Sequence, residues 1–189
     1  MKSALVLAIA VCALPALADP MSPGSRMSTP VDPDANNSIF VEGGGPGLLY
    51  SINYERLFEQ EWGLRAGFSY TSFSASAGSS SASATIITVP VIASYQGLRA
   101  GNHVLEIGAG GTAVFASGSA SGTGIAASGS GMIPLGTAII GYRRQPLNGG
   151  FQFRIGVEAL FGKGLALSNP DPNAFGVLPW MYMSLGFSL

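Results

Sequence analysis

His103 is the only imidazole in this 189-residue chain, so histidine-based catalysis has a single possible seat. It follows Arg99 closely in a segment that reads as a turn between strands. A hydrolase, transferase or protease needs a nucleophile and a base held together. Serines are abundant, but no second histidine exists to activate one. The other ionisable residues with usable spacing are Glu55, Arg65, Glu106, Arg143, Arg154 and Glu158. Paired carboxylates can act as general acid and base, but three carboxylates among three guanidiniums are held ionised, and the set reads as a structural ion-pair network. Asp171 and Asn173, in Asn169-Pro170-Asp171-Pro172-Asn173, offer oxygen ligands to a cation, yet the two prolines describe a turn. The glycine run Gly108 to Gly111 lacks the Lys-Ser/Thr pair and the following helix of a phosphate loop. These residues predict no catalytic set, no cofactor site and no metal site.

The elements that must position the charged residues have period two. In Leu48 to Glu55, one side presents Leu48, Tyr50, Ile52 and Tyr54, and the other Ser51, Asn53 and Glu55. After a turn near Glu59 to Trp62, Leu64, Ala66, Phe68 and Tyr70 oppose Arg65, Gly67, Ser69 and Thr71. Ile87, Val89, Val91, Ala93 and Tyr95 oppose Thr88, Pro90 and Ser94, with Ile86 and Ile92 as apolar residues on the polar side. Phe151, Phe153, Ile155, Val157 and Ala159 oppose Gln152, Arg154, Gly156 and Glu158. The terminal Met181 to Leu189 segment alternates in the same way. Two Gly-rich segments, His103 to Phe115 and Ile133 to Arg143, and a short first strand at Ser38 to Glu42 before the Gly43 to Gly47 turn complete eight strands.

Ahead of them stands Lys2, an apolar run from Ala4 to Leu14, Pro15 and Ala16-Leu17-Ala18. The run is shorter than the roughly 17–25 residues a membrane helix needs, so 1–18 reads as a signal peptide cleaved after Ala18. It removes Cys12, the only cysteine, and with it any disulfide or thiol chemistry. Residues 19–36 hold four prolines without periodicity and read as a flexible periplasmic linker. The barrel then occupies 37–189. Without Lys2 the chain keeps eight basic against ten acidic residues, a formal charge of −2, which recruits no nucleic acid.

Charged residues make up only 10% of the chain, against about 25% in ordinary soluble domains. No later stretch has the roughly 18 apolar residues of a membrane helix, so a membrane span must be made of strands. The connections alternate in length. Those near Phe58 to Trp62, Gln96 to Asn102 and Arg144 to Gly150 are compact; Ser74 to Ser83, Ala116 to Met132 and Gly162 to Gly176 are long and predicted as outer loops. Short periplasmic turns, long outer loops and an even strand count describe an all-β fold: a closed antiparallel up-and-down transmembrane β-barrel of eight strands. The apolar faces then meet outer-membrane lipid, and the six charges share a narrow, filled lumen. Tyr54, Trp62, Tyr95, Tyr142 and Phe151 fall at the predicted periplasmic ends, and Tyr70, Phe115, Phe161 and Trp180 near the other rim, Trp180 with lumen parity; aromatic rings favour the interface. A soluble periplasmic ligand-binding barrel is the alternative, with the apolar faces inward.

The segment Leu49-Tyr50-Ser51-Ile52-Asn53-Tyr54-Glu55-Arg56, the tight turn, Leu64-Arg65-Ala66-Gly67-Phe68-Ser69-Tyr70 and the alternating last strand make the chain similar to the OmpX and OmpA type of eight-stranded outer-membrane barrel over roughly Ser38 to Leu189. The resemblance implies residence in the outer membrane of a Gram-negative cell and recognition of the last strand by the barrel assembly machinery. Such strands commonly end on an aromatic residue, whereas this one ends Phe187-Ser188-Leu189. No catalytic residue comes with the resemblance. The functional expectation is a non-enzymatic barrel with a structural or surface-interaction role through Ser/Gly/Ala-rich extracellular loops, its extracellular partner unnamed. A small-solute pore or a lipid-modifying enzyme is the other class.

Overall fold

Strict alternation of large apolar with polar or small residues builds a ribbon with two unlike faces, and such a ribbon is stable only when each face meets its own solvent. The computed structural model describes residues 35–122, 125–146, 148–165, 171 and 173–189. The expected signal peptide and all of the expected linker except Ala35 and Asn36 lie outside the described residues.

Eight antiparallel strands run β1 Asn37–Gly44, β2 Tyr50–Phe58, β3 Trp62–Ala77, β4 Ser80–Ala100, β5 His103–Gly122, β6 Ile125–Arg144, β7 Gly150–Lys163 and β8 Phe175–Ser188. Each pairs with its neighbours in sequence, and β1 closes the ring on β8. Closure leaves no lateral edge where all eight strands are present. The eight-stranded up-and-down barrel implied by the alternation is the fold found. The first strand is longer than Ser38 to Glu42, because pairing with β2 carries it to Gly43 and pairing with β8 to Gly44.

The tight turns and Leu189 lie at one end, here the base, and the longer hairpins reach toward the other, the mouth. Two expectations at the mouth are corrected. Ser74 to Ser83 and Ala116 to Met132 are not loops: β3 and β4 continue to a turn at Gly78-Ser79, and β5 pairs with β6 as far as Gly122 opposite Ile125. Their Ser, Ala and Gly side chains carry almost no hydropathy contrast, but pairing with a neighbouring ladder needs only the backbone groups. Likewise β8 begins at Phe175, well before Met181.

The polarity is inverted relative to a water-soluble protein. Glu42, Glu55, Arg65, Glu106, Arg143, Arg154 and Glu158 are buried, while Ile52, Leu64, Phe68, Val91, Ile107, Ile140, Val157 and Leu185 are exposed on the outer wall. The buried apolar cluster is small, comprising Ile92, Ile139 and Tyr182.

Candidate functional site: a charged lumen and a hydroxyl sheet

Each lumen charge sits on the inward parity of a different part of the wall: Glu55 on β2, Arg65 on β3, Glu106 on β5, Arg143 on β6, Arg154 and Glu158 on β7. Glu55 and Arg65 are cross-strand partners, but their side chains diverge. Arg65 Nη1 reaches Glu42 Oε2 at 2.8 Å, while Glu55 is paired with Arg143. Arg154 makes a bidentate fork on Glu106, Nε to Oε2 at 2.9 Å and Nη2 to Oε1 at 2.7 Å, and also faces Glu42 at 3.5 Å. Arg143 lies 3.9 Å from Glu106 and donates to Gln152 Oε1 at 2.9 Å. Three guanidiniums and three carboxylates therefore form one connected, charge-balanced cluster. Glu158 stands apart, accepting a hydrogen bond from Thr137 Oγ1 at 2.8 Å.

Glu42 is the cluster member that the sequence reading missed. Its signal was available, since Ser38, Phe40 and Glu42 share one side of β1 and Ile39 and Val41 the other. Phe40 shares that inward side. Its ring is stacked by Arg154, 4.6 Å from the centroid, with Arg65 at 5.8 Å, and Tyr182 lies 5.5 Å from Arg154. Rings against guanidinium faces desolvate the cluster and still compensate its charge.

Above the cluster the chain between β1 and β2 folds inward. Gly45-Pro46-Gly47 form one buried 3-10 turn that crosses the lumen, with Thr112 Oγ1 donating to Pro46 O at 3.0 Å and Thr88 Oγ1 to Gly47 O at 3.3 Å. Gly45 has φ +68°, and a Cβ there would lie 2.6 Å from Glu42 Oε1, so only glycine fits. Leu48 follows at φ 71°, ψ −79°, with Leu49 N–H donating to Gly47 O at 3.1 Å. That is a γ-turn, a strained geometry for a leucine. The sequence reading made Gly43 to Gly47 a simple turn, and nothing in five small residues says that they enter the barrel.

The outer wall changes character at one height. Tyr70, Ile87, Phe115 and Met132 are mutual cross-strand partners on β3, β4, β5 and β6 and face outward. The next outward row is Ser72, Thr85, Ser117 and Ser130; the one after is Ser74, Ser83, Ser119 and Ser128; the last is Ser76, Ser81 and Ser121 beside Ala126. On all four strands an apolar wall gives way to hydroxyls at the same register. Beneath that step, Trp62 to Tyr70 covers about 27 Å along β3, or about 21 Å along the axis at a ~40° tilt, close to the ~25 Å apolar band of membrane barrels.

The barrel is inside out. No family model matches the chain, and no curated protein matches it. Among solved structures it is similar to Ail, the attachment invasion locus protein of Yersinia pestis, at 15% identity and a TM-score of 0.48, covering 82% of this chain and 97% of that one. It is also similar to the N-terminal β-barrel domain of Pseudomonas aeruginosa OprF, at 11% identity and a TM-score of 0.47, covering 82% and 98%. A further structure of Ail, in complex with the heparin analogue sucrose octasulfate, aligns at 14% identity and a TM-score of 0.45 over 80% and 96% of the two chains.

The remaining sequence candidates fall outside both features. His103 lies at the base, opposite Ala100 in the β4–β5 turn, with Nδ1 2.7 Å from Tyr142 Oη. Asp171 closes a turn, accepting the Asn173 N–H at 2.9 Å. Gly110 faces inward where a Cβ would meet Val91 O at 2.1 Å, so the run at Gly108 to Gly111 serves close approach of strands. At the base, Trp62 packs on Tyr95 at 5.1 Å between centroids and Phe151 on Phe187 at 6.1 Å. Tyr54 Oη donates to Asn37 Oδ1 at 2.7 Å.

Proposed function

We propose that the protein is a non-enzymatic barrel of the bacterial outer membrane that presents the four-stranded sheet above its rim as a contact surface for neutral, polyhydroxylated surfaces such as saccharides. The observation that carries this reading is the registered step from Tyr70, Ile87, Phe115 and Met132 to Ser72, Thr85, Ser117 and Ser130. Apolar residues facing outward below the step suit lipid, and uncharged hydroxyls above it suit a polar medium. The hydroxyl grid repeats about every 4.8 Å across strands and about every 6.8 Å along them. Within it, Ser81 bonds Ser121 and Ser83 bonds Ser119, each at 2.9 Å, and each hydroxyl keeps further donor or acceptor capacity. Lys163 and Asp171 are the charged residues at the mouth among the described residues, which favours neutral sugars over polysulfated ones.

In this reading the leader is removed after Ala18, the residues up to Asn36 lie in the periplasm, and the β8 strand is the element offered to the barrel assembly machinery. The lumen cluster of Glu55, Arg65, Glu106, Arg143 and Arg154, joined by Glu42, is structural, and Glu158 serves the wall beside Thr137. A conducting pore is disfavoured by the charge cluster and the inward turn that fill the lumen.

The test uses cells carrying the full chain and beads of dextran or heparin. Dextran beads should be retained in preference to heparin beads, and combined Ser83→Ala, Ser117→Ala, Ser119→Ala and Ser130→Ala should abolish retention while the protein still shows a heat-dependent mobility shift. Equal retention by the variant, or preference for heparin, overturns the surface assignment. Reproducible single-channel currents from purified protein would favour the pore.

A further inference from the structure

The ring of eight strands is complete only up to the level of the inward turn. Pairing of β1 with β8 ends at Gly44 opposite Tyr182, and pairing of β2 with β3 ends at Ile52 opposite Phe68. Toward the mouth, among the described residues, Phe175 to Met181 of β8 pair with β7 alone and Ser69 to Ala77 of β3 with β4 alone. The wall between these two strand segments is missing because the β1–β2 connection has turned into the lumen instead of continuing upward.

Apolar hollows lie on both sides of this slot. On the outer wall, a groove of about 530 Å³ runs past Gly44, Pro179, Trp180, Met181 and Met183. Inside the mouth, a cavity of about 270 Å³ is walled by Leu48, Leu49, Ile86, Leu160, Leu178 and Trp180, with Gly47 of the inward turn beneath it. Trp180 borders both. Its indole N–H donates to Leu48 O at 3.1 Å, so the γ-turn at Leu48 holds the ring at the slot. The charged cluster lies below the turn, and Glu158, the inward cross-strand partner of Trp180, is bonded to Thr137 and does not line the cavity. Roughly nine water-sized groups of ~30 Å³ fill such a volume, and a methylene is of similar size.

We propose that one acyl chain of a surrounding lipid enters the mouth through the slot between β8 and β3 and lies in this cavity against Trp180. The proposal rests on the membrane reading above, since it draws the chain from the lipid that covers Met181 and Met183. A hydrocarbon suits the site because its wall is mostly leucine, isoleucine and indole, with Ser69 and Thr71 its polar side chains, and because the outer groove continues the lipid-facing surface into it.

The experiment reconstitutes the full protein in phosphatidylethanolamine vesicles that carry a diazirine on the acyl chain, irradiates them, and maps adducts by peptide mass spectrometry. Adducts are expected on inward residues of the cavity, Leu178, Leu160 or Thr71, as well as on the outward Met181 and Met183. Thr71→Trp and, separately, Leu178→Trp fill the cavity and should cut the inward adducts by an order of magnitude while keeping the outward ones; the heat-dependent mobility shift reports that each variant is folded. Adducts on outward residues alone, or inward adducts that persist in both folded variants, overturn the proposal and leave the membrane reading standing. Adducts on neither set overturn both.

Discussion

Arg154 is the side chain on which most of the lumen converges. It forks onto Glu106, faces Glu42 and stacks on Phe40. Removing one member of a buried pair leaves an unpaired charge, at a cost of about 3–5 kcal/mol. Arg154→Met is therefore expected to lower the unfolding free energy of the barrel, read from a urea titration, by an amount of that size, and Glu106→Gln made in the same chain should recover part of it. Equal midpoints for wild type and Arg154→Met would show the cluster to be energetically idle. The inward turn makes a second prediction. Gly45→Ala forces a side chain into a backbone held at φ +68° and against Glu42, so it should destabilise by about 1–3 kcal/mol, read in the same titration. Val157 tests the opposite face: placed outward near the middle of β7, its replacement by Arg should cost about 2–4 kcal/mol in a bilayer.

At the scale of elements, the strands that alternate in hydropathy were legible, and those that alternate only in chemistry were not. Leu64 to Tyr70 against Arg65 to Thr71 has a contrast that a transfer scale registers. Ser72, Ser74 and Ser76 against Phe73, Ala75 and Ala77 keeps the same period, but most of its alternating groups are small, and from Ser74 onward the sequence reads as a loop. The hydroxyl rows became visible only with the register, because Ser72, Thr85, Ser117 and Ser130 come from four separate stretches of sequence. Five of the six predicted lumen charges meet in one cluster, and parity alone placed them inward. Glu42 belongs by the same parity, but its strand shows only three inward positions, Ser38, Phe40 and Glu42, too few for the alternation to stand out in the sequence. Which guanidinium meets which carboxylate was beyond the sequence, since Glu55 faces Arg65 in register and yet pairs with Arg143. Shortening the β3–β4 hairpin by removing residues 74–83 and closing with a two-residue turn should leave the barrel folded, because that hairpin lies beyond the closed ring. Loss of the heat-dependent mobility shift in that variant would contradict this division between barrel and surface sheet.

The barrel, taken whole, is a stack of three chemistries along one axis: a charge cluster sealed in the lower lumen, a small apolar chamber above the inward turn, and an uncharged hydroxyl sheet beyond the rim. All three depend on one claim, that the outward apolar faces meet hydrocarbon. The most direct measurement is a nitroxide scan of single cysteines introduced one at a time from Met181 to Ser188 of β8, with Cys12 replaced and the protein in lipid bilayers. Collision rates with dissolved oxygen should rise and fall with period two, high at 181, 183, 185 and 187 and low between them. A flat profile, or one with its maxima at 182, 184, 186 and 188, would contradict the inside-out barrel in a membrane.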